Sequence, residues 1–298
     1  MYFDTAEGPV FRPPSEARSF ILRVTIGCSH NRCTYCNMYR EVQFQVRSMA
    51  EVMAQIRQAS LYKEHVRRVF LADGNALVLE TKRLLEILSV LYETFPRLQR
   101  VSCYAGPKDI LRKSPEELKD LFQAGLKLVY YGMESGDNQV LARVNKGVSG
   151  AESVEAGQRI VASGIKLSMM VILGLAGRAG SAEHAAQTAK AVNAIRPHML
   201  SALTLMMYRG SELREEYEQG RFDLLSPGEI MGELKCLLQD IILPEDSRCI
   251  FRSNHISNYA AFAGNLPQDK ERLIKEVEEA EQGLAGFTNW DPYNNVEA

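Results

Sequence analysis

What this 298-residue chain lacks narrows the field first. It has no long hydrophobic run: the longest, Leu167 to Gly177, is well short of the ~20 residues a membrane-spanning helix needs. The opening MYFDTAEGPVFRPPSEAR shows no basic segment followed by an apolar one, hence no visible secretory signal, and the expectation is a cytoplasmic protein without a membrane partner. Neither sign of charge is in excess. With 35 Lys and Arg against 37 Asp and Glu, the net of −2 gives no electrostatic reason to expect a nucleic-acid partner. No low-complexity tract or internal repeat stands out. The length excludes a disulfide-stapled mini-protein, and 46% hydrophobic with 24% charged residues is ordinary globular composition.

Against that plain background stand six cysteines. Cys103, Cys236 and Cys249 are scattered, whereas Cys28, Cys33 and Cys36 fall within nine residues. In a reducing compartment, clustered cysteines are more often metal ligands than disulfide partners.

Apolar, β-rich runs alternate with stretches of helical period. Strands are expected near Phe20, Arg67, Arg100, Lys127, Lys166 and Met199, apolar on both faces as buried parallel strands must be. Helices between them have readable ends: Ser114-Pro115 and Ser226-Pro227 start two of them, and Gly164 and Pro197 follow two others. Leu84, Leu85, Leu88, Leu91 and Tyr92 form an apolar stripe. Six strand–helix units argue for one α/β domain curled into a partial barrel, short of the eight units of a closed one. The boundaries expected are an N-terminal arm over 1–18, the barrel over 19–210 and a helical extension over 211–298 that covers the barrel. In that extension one long helix precedes CIFRSNHISNYAAF, and a charged helix follows from Asp269 to about Gln282.

The first strand runs into Cys28-Ser-His-Asn-Arg-Cys33-Thr-Tyr-Cys36. Three thiolates on one loop can hold three irons of a [4Fe–4S] cube and leave the fourth open to chemistry. A zinc site would need a fourth ligand, for which His30 is poorly placed. The spacing is also that of plant-type [2Fe–2S] ferredoxins, but the next cysteine, Cys103, lies far along the chain.

These residues resemble the radical S-adenosylmethionine (radical SAM) superfamily, over about Phe20 to Tyr259. The branch indicated includes oxygen-independent coproporphyrinogen dehydrogenases and elongator-type tRNA-modifying enzymes. The family's cysteine motif has three residues in its first gap and an aromatic before its last cysteine; here the gap is four and Tyr35 is the aromatic. The resemblance implies a partial (β/α)6 barrel with a [4Fe–4S] cluster on the three cysteines and SAM on the open iron. It further implies cleavage of SAM to a 5′-deoxyadenosyl radical that abstracts hydrogen from a substrate the sequence does not name. Its partners would be that substrate and an electron donor such as flavodoxin or ferredoxin. Asp73-Gly74-Asn75 stands where the family shows Gly-Gly-Glu, at the methionyl ammonium. Glu134-Ser135-Gly136 resembles the branch's motif for ribose and methionyl groups, with Arg143 as a candidate for the methionyl carboxylate. Gly174, after the fifth strand, resembles the adenine contact. Bland readings stand beside each: an Asp-Gly-Asn turn, a Glu134–Arg143 structural ion pair, and an ordinary strand end. Arg23 and Arg209 could reach toward an anionic substrate or be structural. Arg252, Asn254 and His255 lie in a segment dense in donors and are the candidates for the substrate side. The alternative from another class is an iron–sulfur electron carrier, or a cluster- or haem-handling protein, without radical chemistry.

Overall fold

The computed structural model describes residues 10–285. The chain divides into two compact units. The first holds the residues up to Asn31, Met38–Gly132 and Arg159–Leu167; the second holds Arg32–Asn37, Met133–Gln158 and the residues from Ser168 onward.

In the first unit, β1 (Phe20–Arg23) is followed by two short strands, β2 (Thr25–Ile26) and β3 (Gln45–Val46). Then come α1 (Met49–Ala59), β4 (Arg68–Ala72), α2 (Thr81–Thr94), β5 (Arg100–Ala105), α3 (Pro107–Leu111), α4 (Pro115–Gln123) and, as far as Gly132, β6 (Leu126–Glu134). The order is β1-β4-β5-β6, with each neighbouring pair parallel. β1 is buried along its whole length, its apolar Phe20, Ile21 and Leu22 followed by a buried Arg23. Ser114 caps α4 as expected: it accepts from the Glu117 N–H at 3.2 Å while its own N–H donates to the Glu117 carboxylate at 2.8 Å. The segment expected to be an N-terminal arm supplies a buried group. Glu16 is fully buried and accepts from Arg100 and from the Tyr130 hydroxyl, each at 2.7 Å.

The second unit contains α5 (Asn138–Arg143), most of α6 (Gly150–Ala162), β7 (Lys166–Leu173) from Ser168 onward, α7 (Ser181–Ile195), β8 (Met199–Thr204), α8 (Glu212–Glu218) and α9 (Pro227–Asp240). β9 (Cys249–Ser253), β10 (Phe262–Leu266) and α10 (Lys270–Leu284) complete it. All six strands expected from the sequence are present. The extension carries helices, as expected, and also a hairpin: β9 adds parallel to β8, and β10 returns antiparallel to β9. The reason is visible in the register. Cys249, Phe251 and Ser253 are buried while Ile250 and Arg252 are exposed, the period of two that marks a one-sided strand.

That register also says which way each residue faces. A side chain on Gly264 would meet Asp269, Arg272 and Leu273, so Gly264 of β10 turns toward α10 and its base. Its partner Phe251 shares that face, as do Leu200 and Met169 in turn. Met170 and Ile172 of β7, Met199, Ser201 and Leu203 of β8, and Ile250 and Arg252 of β9 therefore line the opposite face.

Candidate functional site

The pairing of β2 with β3 closes the base of a long loop, residues 27–44, on which all three clustered cysteines lie. None of the six cysteines forms a disulfide. The scattered Cys103 and Cys249 are buried in strands, and burial pushes each thiol up to about 12. Those two are inert side chains of the core.

In the first unit the loop is anchored by a buried ion pair. Asp73, directly after β4, receives Arg23 Nε at 2.9 Å and Nη2 at 2.8 Å, both side chains fully buried. The same carboxylate oxygen accepts the Gly27 N–H at 3.0 Å, and the Asp73 N–H donates to Thr25 Oγ1 at 3.0 Å. Arg23 thus serves structure, not an anionic substrate. Gly74 N–H donates to the Gly27 carbonyl at 3.2 Å. A side chain on Gly74 would lie 3.1 Å from Cys28 Cβ and from the Tyr39 ring, so the position admits only glycine without displacing Cys28. Asn75 is buried and fully engaged. Its amide donates to Ser29 Oγ at 2.9 Å and to Asp109, and its carbonyl oxygen accepts the Gly106 N–H at 3.2 Å.

In the second unit Tyr35 sits beside Cys33 and Cys36. Burial, then the charge of Glu134, then the two cysteines hold its hydroxyl well above the usual phenol range. Glu134 ends β6 with φ of 69°, in the left-handed region. Its carboxylate pairs with Lys146 Nζ at 2.8 Å, both side chains nearly buried. The expected alternative of a Glu134–Arg143 pair is corrected here. Arg143 instead pairs with Glu216 at 3.0 Å, donates to the Arg221 carbonyl at 3.1 Å and lies 5.0 Å from the Phe222 ring centroid. Ser135 is fully buried, its hydroxyl accepting the Asp137 N–H at 2.9 Å. Gly174 follows β7 with φ of 80°, and its N–H donates to Glu233 at 2.8 Å.

The substrate-side candidates follow the C-terminal end of β9. Arg252 is exposed and donates to the Phe251 and Gly264 carbonyls at 2.7 and 3.3 Å. Asn254 is exposed. His255 Nδ1 lies 2.9 Å from Ser257 Oγ and accepts the Ser257 N–H at 3.2 Å; burial lowers its pKa. Asn258 fastens this loop to the sheet by donating to the Ala202 carbonyl at 2.9 Å. Arg209 is exposed, and its carbonyl accepts from Asn37. Sequence reasoning missed Lys146 and Glu233. Neither lies near its partner in sequence or belongs to a motif.

Parallel strands alternating with helices define an α/β protein of the barrel type. A sequence model of the Radical SAM superfamily matches residues 22–187, more than half of the chain. The chain belongs to the radical SAM superfamily of enzymes. Among curated proteins none matches. Among solved structures it is similar to Elp3 of the archaeon Methanocaldococcus infernus, at 18% identity and a TM-score of 0.53, over 89% of this chain and 64% of that one. It is similar as well to HemN, the coproporphyrinogen III oxidase of Escherichia coli, at 14% identity and 0.53, over 89% and 71%. A third likeness is to the cobalamin-dependent S-adenosylmethionine radical enzyme OxsB, at 19% identity and 0.50, over 58% of this chain. The chain spans 26% of OxsB's length. These likenesses show the fold, the partial barrel of radical SAM proteins with its α/β layers.

The family implies a [4Fe–4S] cluster and SAM. The donor set fits. Three thiols outside any disulfide share one loop, Gly74 leaves room beside Cys28, and Tyr35 lies between Cys33 and Cys36 in sequence and feels both. Among the described residues no three His, Cys, Asp or Glu side chains converge on a single-ion position. A cube asks for something different, since each thiolate takes its own iron. No helix of the described residues is long and apolar enough to cross a membrane.

Proposed function

We propose that the chain is a radical SAM enzyme in which Cys28, Cys33 and Cys36 are the protein ligands of one [4Fe–4S] cluster, reduced by a donor such as flavodoxin or ferredoxin. When bound, cluster and SAM supply homolytic chemistry: an electron splits the sulfonium to methionine and a 5′-deoxyadenosyl radical, which takes hydrogen from the substrate. The work of the chain itself is to bind, orient and exclude water. Gly74 lets the backbone after β4 come close to Cys28 and to the methionyl group, with Asn75 holding that turn in shape. Glu134 and Ser135 at the end of β6 serve the ribose and methionyl side, and Arg143 the carboxylate; Gly174 faces the adenine. The extension after residue 210 serves the substrate. Arg252, Asn254 and His255 stand at the C-terminal end of β9, and Arg252 has no acidic partner among the described residues.

The observation that carries this reading is the cysteine loop itself: three thiols outside any disulfide, beside a Gly74 that admits no side chain without displacing Cys28. The test is anaerobic reconstitution followed by reductant and SAM, with 5′-deoxyadenosine as the readout. Adding extract from cells grown in deuterated medium and following deuterium into 5′-deoxyadenosine would lead to the substrate. Replacing all three cysteines with Ala should abolish iron uptake. About four irons retained by that variant, for a cube, or tight stoichiometric zinc in the unaltered protein, would refute the proposal.

A further inference from the structure

The carboxylates of α9 raise a question that the family match, ending at residue 187, does not answer. Glu233 is buried, 3% exposed, and no lysine or arginine faces it among the described residues. Its donors are the Gly174 N–H at 2.8 Å, the Ser181 hydroxyl and His184 Nδ1 at 3.1 Å. Nε2 of the equally buried His184 has no hydrogen-bond partner among the described residues, so the ring proton belongs on Nδ1, facing the carboxylate. A buried carboxylate is costly to desolvate, and a leucine would fill this helix position more cheaply. What the carboxylate does that leucine cannot is accept from the backbone of the turn after β7.

One helical turn earlier, Glu229 accepts from Arg178, which also pairs with Asp223 at 3.1 Å and donates to the Leu224 carbonyl at 3.2 Å. Glu229 and Glu233, at i and i+4, lie on one face of α9. Glu233 holds both ends of the segment Gly174–Ser181, and Glu229 holds Arg178 within it. Ile230 closes the remaining side: a side chain on Gly174 would lie 2.8 Å from its Cδ1.

We infer that α9 is a clamp on the Gly174–Gly177 turn, with Glu233 the positioning residue that presents this turn to the nucleoside end of SAM. The inference rests on the function proposed above. Binding of the nucleoside would then depend on a helix beyond the segment that the family model matches, through one hydrogen bond from Gly174.

The experiment uses reconstituted holoenzyme and three probes: SAM, 5′-methylthioadenosine for the nucleoside end, and L-methionine for the amino-acid end. Hydrogen exchange of the peptide containing Gly174 is followed in parallel. Glu233→Leu should weaken SAM and 5′-methylthioadenosine by about tenfold or more and leave methionine within about twofold, while exchange at Gly174 accelerates. Glu233→Gln, which keeps an acceptor, should stay within about threefold of the unaltered protein for every probe. Equal losses for nucleoside and methionine would overturn the inference, as would unchanged nucleoside affinity once exchange has accelerated. If Glu233→Leu does not fold, Glu229→Ala decides on the same probes: it releases Arg178 at the surface, and a selective loss for the nucleoside is expected. A protein that binds none of the probes before mutation refutes the proposed function; the exchange measurement still reports on the clamp.

Discussion

The Arg23–Asp73 pair offers the sharpest quantitative test of how the cysteine loop is held. Both side chains are fully buried, and the guanidinium reaches one carboxylate oxygen twice, at 2.8 and 2.9 Å. Removing either partner leaves the other charged in a site without water, a loss of about 3–5 kcal/mol. Arg23→Met and Asp73→Asn should each cost that much. The double variant removes both charges, and the asparagine carbonyl still accepts the Gly27 N–H, so it should fall within about 2 kcal/mol of the unaltered protein. Gln55 continues to bridge the Arg23 backbone through its N–H and carbonyl, both at 3.0 Å, in every variant. Urea denaturation followed by circular dichroism gives the four corners of the cycle. Either single variant costing under about 1 kcal/mol would refute the reasoning, as would a double variant whose loss is the sum of the singles to within about 0.5 kcal/mol.

Two further outcomes follow from the second unit. Glu134→Gln removes a nearly buried charge from Lys146 and should weaken SAM binding by about 1–3 kcal/mol; unchanged affinity by equilibrium dialysis, with iron content intact, would return Glu134 to a structural role. Burial lowers His255 below its ordinary 6.5. Between the lowered value and 6.5 the unfolded chain holds a proton that the folded chain does not, so stability rises with pH through that window and the gain is complete above it. His255→Gln should flatten this part of the profile of urea midpoints against pH; an unaltered slope would place the titrating group elsewhere.

The barrel strands were legible because each is a local signal: a short apolar run closed by a turn, as in β1 and in Val69–Ala72 of β4, all buried. The capping boxes at Ser114 and Ser226 were legible too, being written within four residues. The two-residue strands β2 and β3 fall below any period a sequence can show. β9 and β10 were read through as connecting chain although their burial alternates, because the apolar–polar pattern is broken by Ile250 and Ala263 on the exposed face and by Ser253 and Gly264 on the buried one. Pairings were the least legible. Glu134 and Arg143 sit nine positions apart at a strand end and its helix, which suggested a pair. The structure gives Glu134 to Lys146 and Arg143 to Glu216, a partner from α8 that no local rule selects.

A boundary at residue 210 marks where the strand–helix cadence changes, and the packing of the second unit says what lies beyond it. β8 pairs with β9 along Met199–Ser201, and α9 packs Ile230, Met231, Leu234, Leu237 and Leu238 out of solvent, as β9 does Phe251. Burying each such side chain is worth about 1.5–3 kcal/mol. Six of them make on the order of 10 kcal/mol, comparable with the whole 5–15 kcal/mol by which a domain is stable. Truncation after Gly210 also leaves β8 as an unpaired edge. The truncated chain should therefore bind a hydrophobic dye, lose its near-ultraviolet circular dichroism and be cut quickly by protease in the residues after Gly164. A soluble fragment that keeps the near-ultraviolet signal and resists protease like the full chain would show that the barrel strands stand without the extension. In that case the hydrogen bond from Gly174 to Glu233 would be an ornament of the fold and not a support for it.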